Sequence, residues 1–245
     1  MNETIEIIKN HRSIRNYLDK DVPDVMLQDI LQAATAMPTS INGQQISIIV
    51  IKDKDKKEKI ATLANEQPWI SQAPVFLVFV ADFYKAYLAS EKNGTKEIIH
   101  ESIEGTMVGT FDAGLAMGAA IIAAESLGLG IVPIGAVRKN PDEMIKLLKL
   151  PQYTYPLVGL VVGYPAEGSA QKPRLPHEAL IHIETYHKDG LAAVIDQYDD
   201  VMAQYYGERG DKESNWSKQV ANAYKQVYFP KVYPTMKKQG FKNDK

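Results

Sequence analysis

The sequence predicts an α/β protein, and three observations carry that prediction. Four short apolar runs, rich in β-branched and aromatic residues, are typical of buried strands. Segments with apolar residues at helical spacing lie between these runs and after them. The chain has 245 residues, 45% of them hydrophobic, so it is long enough to bury a core without disulfides or metals.

The first third of the chain predicts three helices and two strands. Thr4 begins a short helix that ends near His11, and Pro23 with its acidic neighbours begins a second helix. One face of the second helix is apolar, and the pattern stops at Pro38, so a loop is predicted at 39–43. Two continuous apolar runs flank a charged helical segment, which gives strands at 46–51 and 75–80 and a helix at 54–63.

The longest helical pattern runs from about Glu97 to Leu127, and an interruption at 105–109 is an alternative. Its second half is rich in Gly and Ala, which lets another helix or a sheet approach closely. We therefore place this helix in the core or at a subunit interface. Asp112 and Glu125 within it favour a buried helix over a membrane span.

The rest of the chain predicts two more strands and three more helices. Strands are expected at 131–137 and 157–162, and a helix at 142–148 follows Pro141. A polar loop then precedes helices at 190–206 and 215–227. There is no internal repeat and no long linker. We predict one domain over residues 1–245, with a C-terminal helical extension from about 188 to 245.

The composition excludes several classes of protein. Without cysteine, the chain has no disulfide, thiolate zinc site, cysteine-ligated iron–sulfur cluster or cysteine nucleophile. A net charge of −2 argues against nucleic-acid binding. The mean hydropathy of −0.24, and an amino terminus without a basic segment and apolar run, argue against a membrane protein and a signal peptide. We expect a cytoplasmic protein that binds neither nucleic acid nor membranes.

Several common motifs are absent as well. The sequence has no Gly-x-Gly-x-x-Gly after a strand, no phosphate-binding Gly-x-x-x-x-Gly-Lys-Ser/Thr and no Gly-x-Ser-x-Gly, which disfavours Rossmann dehydrogenases, P-loop enzymes and α/β-hydrolases. His177, His182 and His187 recur every five residues, which is not a usual metal-ligand spacing. We predict exposed loop histidines and no metal site.

Two basic clusters are the informative features. The segment 11–15, His-Arg-Ser-Ile-Arg, offers guanidinium, imidazole and hydroxyl donors to one anion. The alternative is a helix C-terminus whose cations complement the helix dipole. Lys172 and Arg174 lie in a loop stiffened by Pro173 and Pro176. Two such clusters are able to bind one phosphate together.

Three segments in register resemble the flavin-dependent nitroreductase family, most closely its NADPH-preferring branch of oxygen-insensitive nitroreductases and NADPH:FMN oxidoreductases. The similarity runs from about residue 3 to residue 240. The resemblance implies an α+β sandwich with a central mixed sheet of four or five strands surrounded by helices. It also implies an intertwined homodimer with FMN at its interface. The three segments are His11-Arg12-Ser13-Ile14-Arg15, Ile122-Ala123-Ala124-Glu125-Ser126-Leu127-Gly128-Leu129-Gly130 and Lys172-Pro173-Arg174-Leu175-Pro176.

The resemblance further implies which residues bind FMN. Around the phosphate it places His11, Arg12, Ser13, Lys172 and Arg174. Arg15 is expected near N1 and the C2 carbonyl of the flavin, where a cation stabilises the negative charge left by hydride reduction. The remaining predicted flavin contacts are Ser40, Asn42 and Gln44 at the ring and ribityl chain, Gln67 at the pyrimidine, and Ile134, Gly135 and Ala136 near N5.

Arg209 and Lys212 are predicted to bind NAD(P)H, with Arg209 matching a loop that receives the 2′-phosphate of NADPH. Two acids, Asp211 and Glu213, lie beside them and weaken that attraction. NADPH, and less strongly NADH, is therefore the expected electron donor.

The activity implied is a ping-pong cycle through FMN. Hydride passes from NAD(P)H to flavin N5, and two electrons then pass to a planar small molecule such as a nitroaromatic, a quinone, an azo compound or free flavin. No titratable residue matches a protein acid or base, so no catalytic side chain is predicted. The alternatives are an FMN-binding redox sensor or partner-docking module with little turnover, and a reductive dehalogenase or flavin-destroying enzyme on the same scaffold.

Overall fold

The computed structural model describes residues 2–166 and 169–245, which form two compact units. The first unit comprises Met1–Ser169 together with Phe229–Lys245, and the second comprises Ala170–Tyr228. The first unit contains the β-sheet and most of the helices, whereas the second is helical. The single domain over the whole chain stays a prediction.

A four-stranded sheet forms the centre of the first unit. Its order is β1-β2-β4-β3, and each neighbouring pair is antiparallel. Strand β2 is buried along its whole length, which accounts for its unbroken apolar run. A parallel element comes from an isolated bridge between Ser13 and Ile131. The strands are β1 (Ile46–Ile51), β2 (Val75–Asp82), β3 (Gly130–Ile134) and β4 (Thr154–Gly163). The predicted α+β fold is confirmed, and the sheet has four of the four or five strands expected. Its three ladders are antiparallel, where the resemblance implied a mixed sheet.

Ten α-helices surround or follow the sheet in the described residues. In chain order they are α1 (Glu3–Lys9), α2 (Asp24–Thr35), α3 (Lys54–Leu63), α4 (Trp69–Gln72), α5 (Tyr84–Lys92), α6 (Ile103–Ser126), α7 (Pro141–Leu148), α8 (Leu191–Gly207), α9 (Trp216–Tyr224) and α10 (Val232–Lys238). Helices α8 and α9 belong to the second unit. The 3-10 turns are Ser40–Asn42, Ile99–Glu101, Gly135–Arg138 and His177–Ala179.

Four boundaries differ from the sequence prediction by three residues or more. Strand β4 begins at Thr154 and not at 157, and α9 ends at Tyr224 and not at 227. The other two, in α6 and β3, have a clear physical reason. Helix α6 begins after Ser102, whose side chain accepts a hydrogen bond from the Gly105 amide at 3.0 Å, so the residues before it are not part of this helix. It then continues without a break through residues 105–109. Strand β3 ends at Ile134, because the next four residues form a 3-10 turn in place of the predicted strand. Helices α4, α5 and α10 were not predicted.

Helix α6 packs against α2 and against β2. Its buried face is lined mainly by Gly and Ala, which allows the close approach that the sequence suggested. By length and composition it is the one helix among the described residues that is able to cross a membrane, a property shared by core helices of soluble proteins. Only 33% of its most apolar window is buried inside this chain, and Ile103, Met107 and Phe111 are exposed.

Candidate functional site

The basic segment 11–15 lies beside β3 and is fixed there by its backbone. Ser13 forms the bridge with Ile131, and the Ile14 amide donates to the Ile131 carbonyl at 2.9 Å. The buried Ile14 side chain packs over Gly130, where a Cβ would lie 2.7 Å from Ile14 Cγ1. Helix α1 ends at Lys9, and the His11 amide donates to the Ile8 carbonyl at 3.3 Å, so His11 lies at the helix C-terminus while Ser13 and Ile14 lie beyond it, against β3.

His11 pairs with a carboxylate from a distant part of the chain. Its Nδ1 lies 2.7 Å from Oε1 of Glu125 on α6, so Nδ1–H donates to the carboxylate. The side chains are 26% and 13% exposed, respectively. The second carboxylate oxygen, Oε2, is buried and has no hydrogen-bond partner among the described residues.

Arg12 and Ser13, the next two residues, have different surroundings from His11. The exposed Arg12 lines a cavity of about 310 Å³ together with Glu6 and Glu125. Ser13 uses its carbonyl to accept a hydrogen bond from Ser169 Oγ at 2.9 Å. That contact holds the backbone of the segment in place and does not involve the Ser13 hydroxyl.

Arg15 lies close to the loop that contains Gln67. Its guanidinium carbon is 5.8 Å from the ring centroid of Trp69, a cation–π distance, and Gln67 precedes that ring by two residues. The Gln67 amide nitrogen donates to the Ala64 carbonyl at 2.8 Å, which orients the side chain. The structure therefore brings Arg15 close to the 67–69 segment.

The predicted N5 segment forms the end of β3. Ile134 is buried, and Gly135 and Ala136 begin the 3-10 turn. A Cβ at Gly135 would meet only the Arg138 guanidinium, at 3.4 Å, and nothing in the backbone. Packing within the described chain therefore does not require glycine here, in contrast to Gly130. A ligand that approaches the backbone closely is a physical reason for this glycine.

The loop at 40–44 is a strained turn attached to α6. Asn42 and Gln44 both adopt positive φ, at 55° and 50°. The Ser40 amide donates to Asp112 Oδ2 at 3.2 Å, and Gln45 Nε2 donates to the same oxygen at 2.6 Å. Asp112 is 1% exposed, and this burial raises the pKa of its carboxyl group. These bonds hold the loop in a conformation that its sequence alone would not favour.

The strand order separates two of the predicted flavin-binding segments. The start of β1 and the end of β3 lie on opposite edges of the sheet, three strand spacings or roughly 14 Å apart across the strands. They also differ in level along the strands, because Ile134 is aligned through Gly159 and Val78 with Ile49, in the middle of β1. Residues 40–44, which precede β1, and residues 134–136 are thus not brought together within one chain.

The second unit holds the remaining predicted residues. Arg174 Nη1 donates to the Lys172 carbonyl at 2.9 Å, and Lys172 Nζ lies 5.2 Å from the Tyr206 ring centroid. Arg209 stacks on the Tyr205 ring at 3.6 Å and also donates to the Tyr205 carbonyl at 2.9 Å. Lys212 is exposed.

The loop that contains Lys172 and Arg174 is held by a hydrogen bond within the second unit. The hydroxyl of the buried Tyr198 donates to the Pro173 carbonyl at 2.9 Å, which ties the loop to α8, and burial raises the pKa of this phenol. His182 and His187 interact with each other, the His187 amide donating to His182 Nδ1 at 3.3 Å. Among the described residues there is no group of three or more His, Cys, Asp or Glu side chains able to hold a metal ion.

Sequence reasoning missed several residues that shape the site. Glu125 lies in one of the three family-like segments, but its pairing with His11 has no local signal because the two residues are 114 positions apart. The same holds for Asp112 with Ser40. Trp69 stood in a helix that was not predicted.

Comparisons with known proteins match nearly the whole chain. The profile described as "Nitroreductase family" matches residues 8–164, and the profile "Nitroreductase family, C-terminal domain" matches residues 172–244. A Bacillus subtilis (strain 168) protein, named as an FMN reductase that uses NAD(P)H, is 50% identical over 249 residues and is covered completely, as is this chain.

Solved structures are similar over the whole chain. The B. megaterium NfrA2 structure has a TM-score of 0.97 and 48% identity, with 100% of each chain covered. The NADPH:FMN oxidoreductase from Vibrio harveyi, complexed with NAD+, has a TM-score of 0.90 and 31% identity, with 98% of this chain and 99% of that chain covered.

Proposed function

Because this chain belongs to the nitroreductase family, we propose that it works in the cytoplasm as a homodimer that reduces planar small molecules by a ping-pong mechanism. It is an FMN-dependent oxidoreductase that uses NAD(P)H. When bound, FMN supplies the redox chemistry, by accepting hydride from NAD(P)H and passing two electrons to the second substrate. The observation that carries this function is the attachment of the basic segment 11–15 alongside β3 through the parallel Ser13–Ile131 bridge.

The donor set beside β3 fits FMN. Imidazole, hydroxyl and guanidinium groups at residues 11–13 are able to bind a phosphate dianion, and a cation at Arg15 suits the flavin edge that becomes negative on reduction. The open backbone at Gly135 leaves room for a flat ring. We propose that these residues bind FMN together with Gln67, Ile134 and Ala136, and with Lys172 and Arg174 from the second unit.

An uncovered stripe on α6 supports the homodimer. Ile103, Met107 and Phe111 follow one another at intervals of four residues, on one face of the helix, and are 56%, 62% and 67% exposed. Gly114 and Gly118 continue this face, and a Cβ at either would meet nothing within 4 Å. Such a contiguous apolar face with small residues suits a second copy of the same helix. We call these five residues the α6 stripe.

The same geometry supports a site shared between protomers. The loop at 40–44 is bonded to Asp112, the residue that follows Phe111 of the α6 stripe, and is set apart from the end of β3 in its own chain. A dimer formed through the stripe places this loop at the interface. We therefore propose that Ser40, Asn42 and Gln44 contact the flavin bound mainly by the other protomer.

The nicotinamide preference is the next part of the proposal. Arg209 is engaged with Tyr205, and the acids Asp211 and Glu213 surround it and Lys212. A 2′-phosphate is therefore attracted only weakly. We propose that the enzyme uses both NADPH and NADH, with NADPH the better donor, and accepts nitroaromatics, quinones, azo compounds or free flavin as the oxidant.

A stopped-flow comparison of flavin reduction by NADPH and NADH tests cofactor and donor together. We expect flavin bleaching with both donors and parallel double-reciprocal plots with nitrofurazone or menadione as acceptor. The alternative of an FMN-binding sensor predicts flavin binding with negligible turnover. Failure of the FMN-loaded protein to oxidise either donor with any acceptor would refute the reductase function.

A further inference from the structure

The pair between His11 and Glu125 has a feature that a purely structural contact does not need. Glu125 projects from α6 toward the basic segment, and one of its carboxylate oxygens is buried without a partner among the described residues. A buried carboxylate that is only half satisfied is costly to keep. An apolar side chain at this position would cover the same surface at a lower cost in desolvation.

The contact determines which nitrogen of His11 faces a ligand. A carboxylate only accepts hydrogen bonds, so Nδ1 carries a proton that is donated to Glu125 at 2.7 Å. Among the described residues, Nε2 has no hydrogen-bond partner, and the His11 side chain is partly exposed. In its imidazolium form the ring then donates from Nε2, while Glu125 balances the positive charge.

We propose that Glu125 is a positioning residue for cofactor selection: it fixes the orientation of His11 so that Nε2–H binds the terminal phosphate of FMN. Metal-binding and catalytic histidines are oriented in the same way, by a carboxylate that accepts a hydrogen bond from the ring nitrogen facing away from the ligand. This inference rests on the proposed FMN-binding function. It makes Glu125 one of the residues through which the site distinguishes FMN from riboflavin, which has the same ring system but no phosphate.

Glu125→Gln tests this with the protein stripped of flavin by dialysis. The amide keeps the side-chain volume but does not balance an imidazolium. We expect FMN affinity to fall by about tenfold, the size of one charge-assisted hydrogen bond. Riboflavin affinity should change by less than about twofold. Glu6→Gln is the matched control, because Glu6 lines the same cavity without contacting His11, and both affinities should stay at the level of the unaltered protein.

A second measurement separates positioning from folding. The phosphorus NMR resonance of bound FMN should move in Glu125→Gln and stay in place in Glu6→Gln. In a His11→Ala background, Glu125→Gln should have no further effect on FMN affinity. Should Glu125→Gln fail to fold, Glu125→Asp retains the charge but shortens the side chain by one methylene, and the same loss of FMN over riboflavin affinity is expected.

Two results would overturn the inference. Unchanged FMN affinity in the Glu125 variants would show that the carboxylate does not act through His11. Equal losses for FMN and riboflavin would show a structural role alone. If the unaltered protein binds neither flavin, it is the proposed function that fails.

Discussion

Replacing Phe111 with glutamate should prevent dimer formation. Phe111 is the largest side chain of the α6 stripe and is 67% exposed in the single chain. If two copies of the chain meet through this stripe, each protomer buries its own Phe111 and receives that of its partner, because the interface is symmetric. A charged side chain there loses the apolar contact and adds the cost of desolvating a carboxylate.

The size of the effect follows from the exposed area. A phenylalanine side chain presents about 200 Å², of which 67% gives roughly 130 Å² available for burial. At about 25 cal/mol/Å² this corresponds to about 3 kcal/mol for each protomer. The symmetric dimer contains two copies of the substitution, so about 6 kcal/mol of its association free energy is lost. This raises the dimer dissociation constant by about 10⁴-fold. A dimer of nanomolar affinity would become monomeric at micromolar concentration.

Sedimentation velocity at several protein concentrations measures this directly. Val25→Glu is the matched control, since Val25 is 68% exposed but lies on α2, outside the stripe. We expect the Phe111→Glu protein to sediment as a monomer and to lose FMN affinity, because the loop at 40–44 no longer reaches the flavin of the other protomer. An unchanged dimer in Phe111→Glu would refute the assignment of the interface to α6.

Three further predictions address the two units separately. Gly135→Ala should leave the melting temperature unchanged and weaken FMN binding. Gly130→Ala should lower the melting temperature, because its Cβ would collide with Ile14. Equal melting temperatures for the two variants would contradict these different roles of the two glycines. Arg174→Ala should weaken FMN binding by about 2–3 kcal/mol and riboflavin binding little, as measured by fluorescence titration, and unchanged FMN affinity would remove Arg174 from the phosphate site. Hydrogen bonds from Lys242 and Lys245 hold the pKa of Glu101 at about 2, below its usual 4.5, so this contact stabilises the fold above pH 4.5 and is lost as the pH falls toward 2. The melting temperature of Glu101→Gln should therefore lie below that of the unaltered protein at neutral pH and approach it on acidification, and a constant difference would contradict the assignment.

The strands and most helices were predictable because their side-chain patterns are local. The continuous apolar runs at 46–51 and 75–80 have no equally good helical interpretation, and both became strands of the sheet. Helix α3 was predicted at its observed bounds because a charged, capped segment lies between those runs. Short helices such as α4 escaped prediction, since four residues are too few to show a period.

The predicted boundaries of elements were wrong where hydrogen bonding, and not the side-chain pattern, determines where the element begins or ends. Residues 135–137 are as apolar as a strand, yet β3 ends at Ile134 because the chain turns there into a 3-10 helix closed by the Lys139 amide on the Ala136 carbonyl at 2.9 Å. Similarly, α6 starts at its Ser102 cap and not at Glu97. A short stretch of sequence shows the spacing of its apolar residues, but it does not show which carbonyl accepts the hydrogen bond from each amide.

The same difference applies to the site: some of its features are indicated by the local sequence, and others only by contacts between distant parts of the chain. Sequence motifs were sufficient to nominate the basic residues, because each cluster lies within five positions of the chain. They were not sufficient to distinguish a glycine that the fold needs from one that a ligand needs. Gly130 and Gly135 flank the same strand, and only the structure shows that a Cβ at the first would meet Ile14 at 2.7 Å while a Cβ at the second would meet a flexible guanidinium at 3.4 Å. The glycine without a packing reason is the one that lies in the predicted flavin segment. Glu125 follows the same logic. Its Oε2 has no hydrogen-bond partner among the described residues, while its Oε1 accepts from His11, the residue that we propose binds the phosphate.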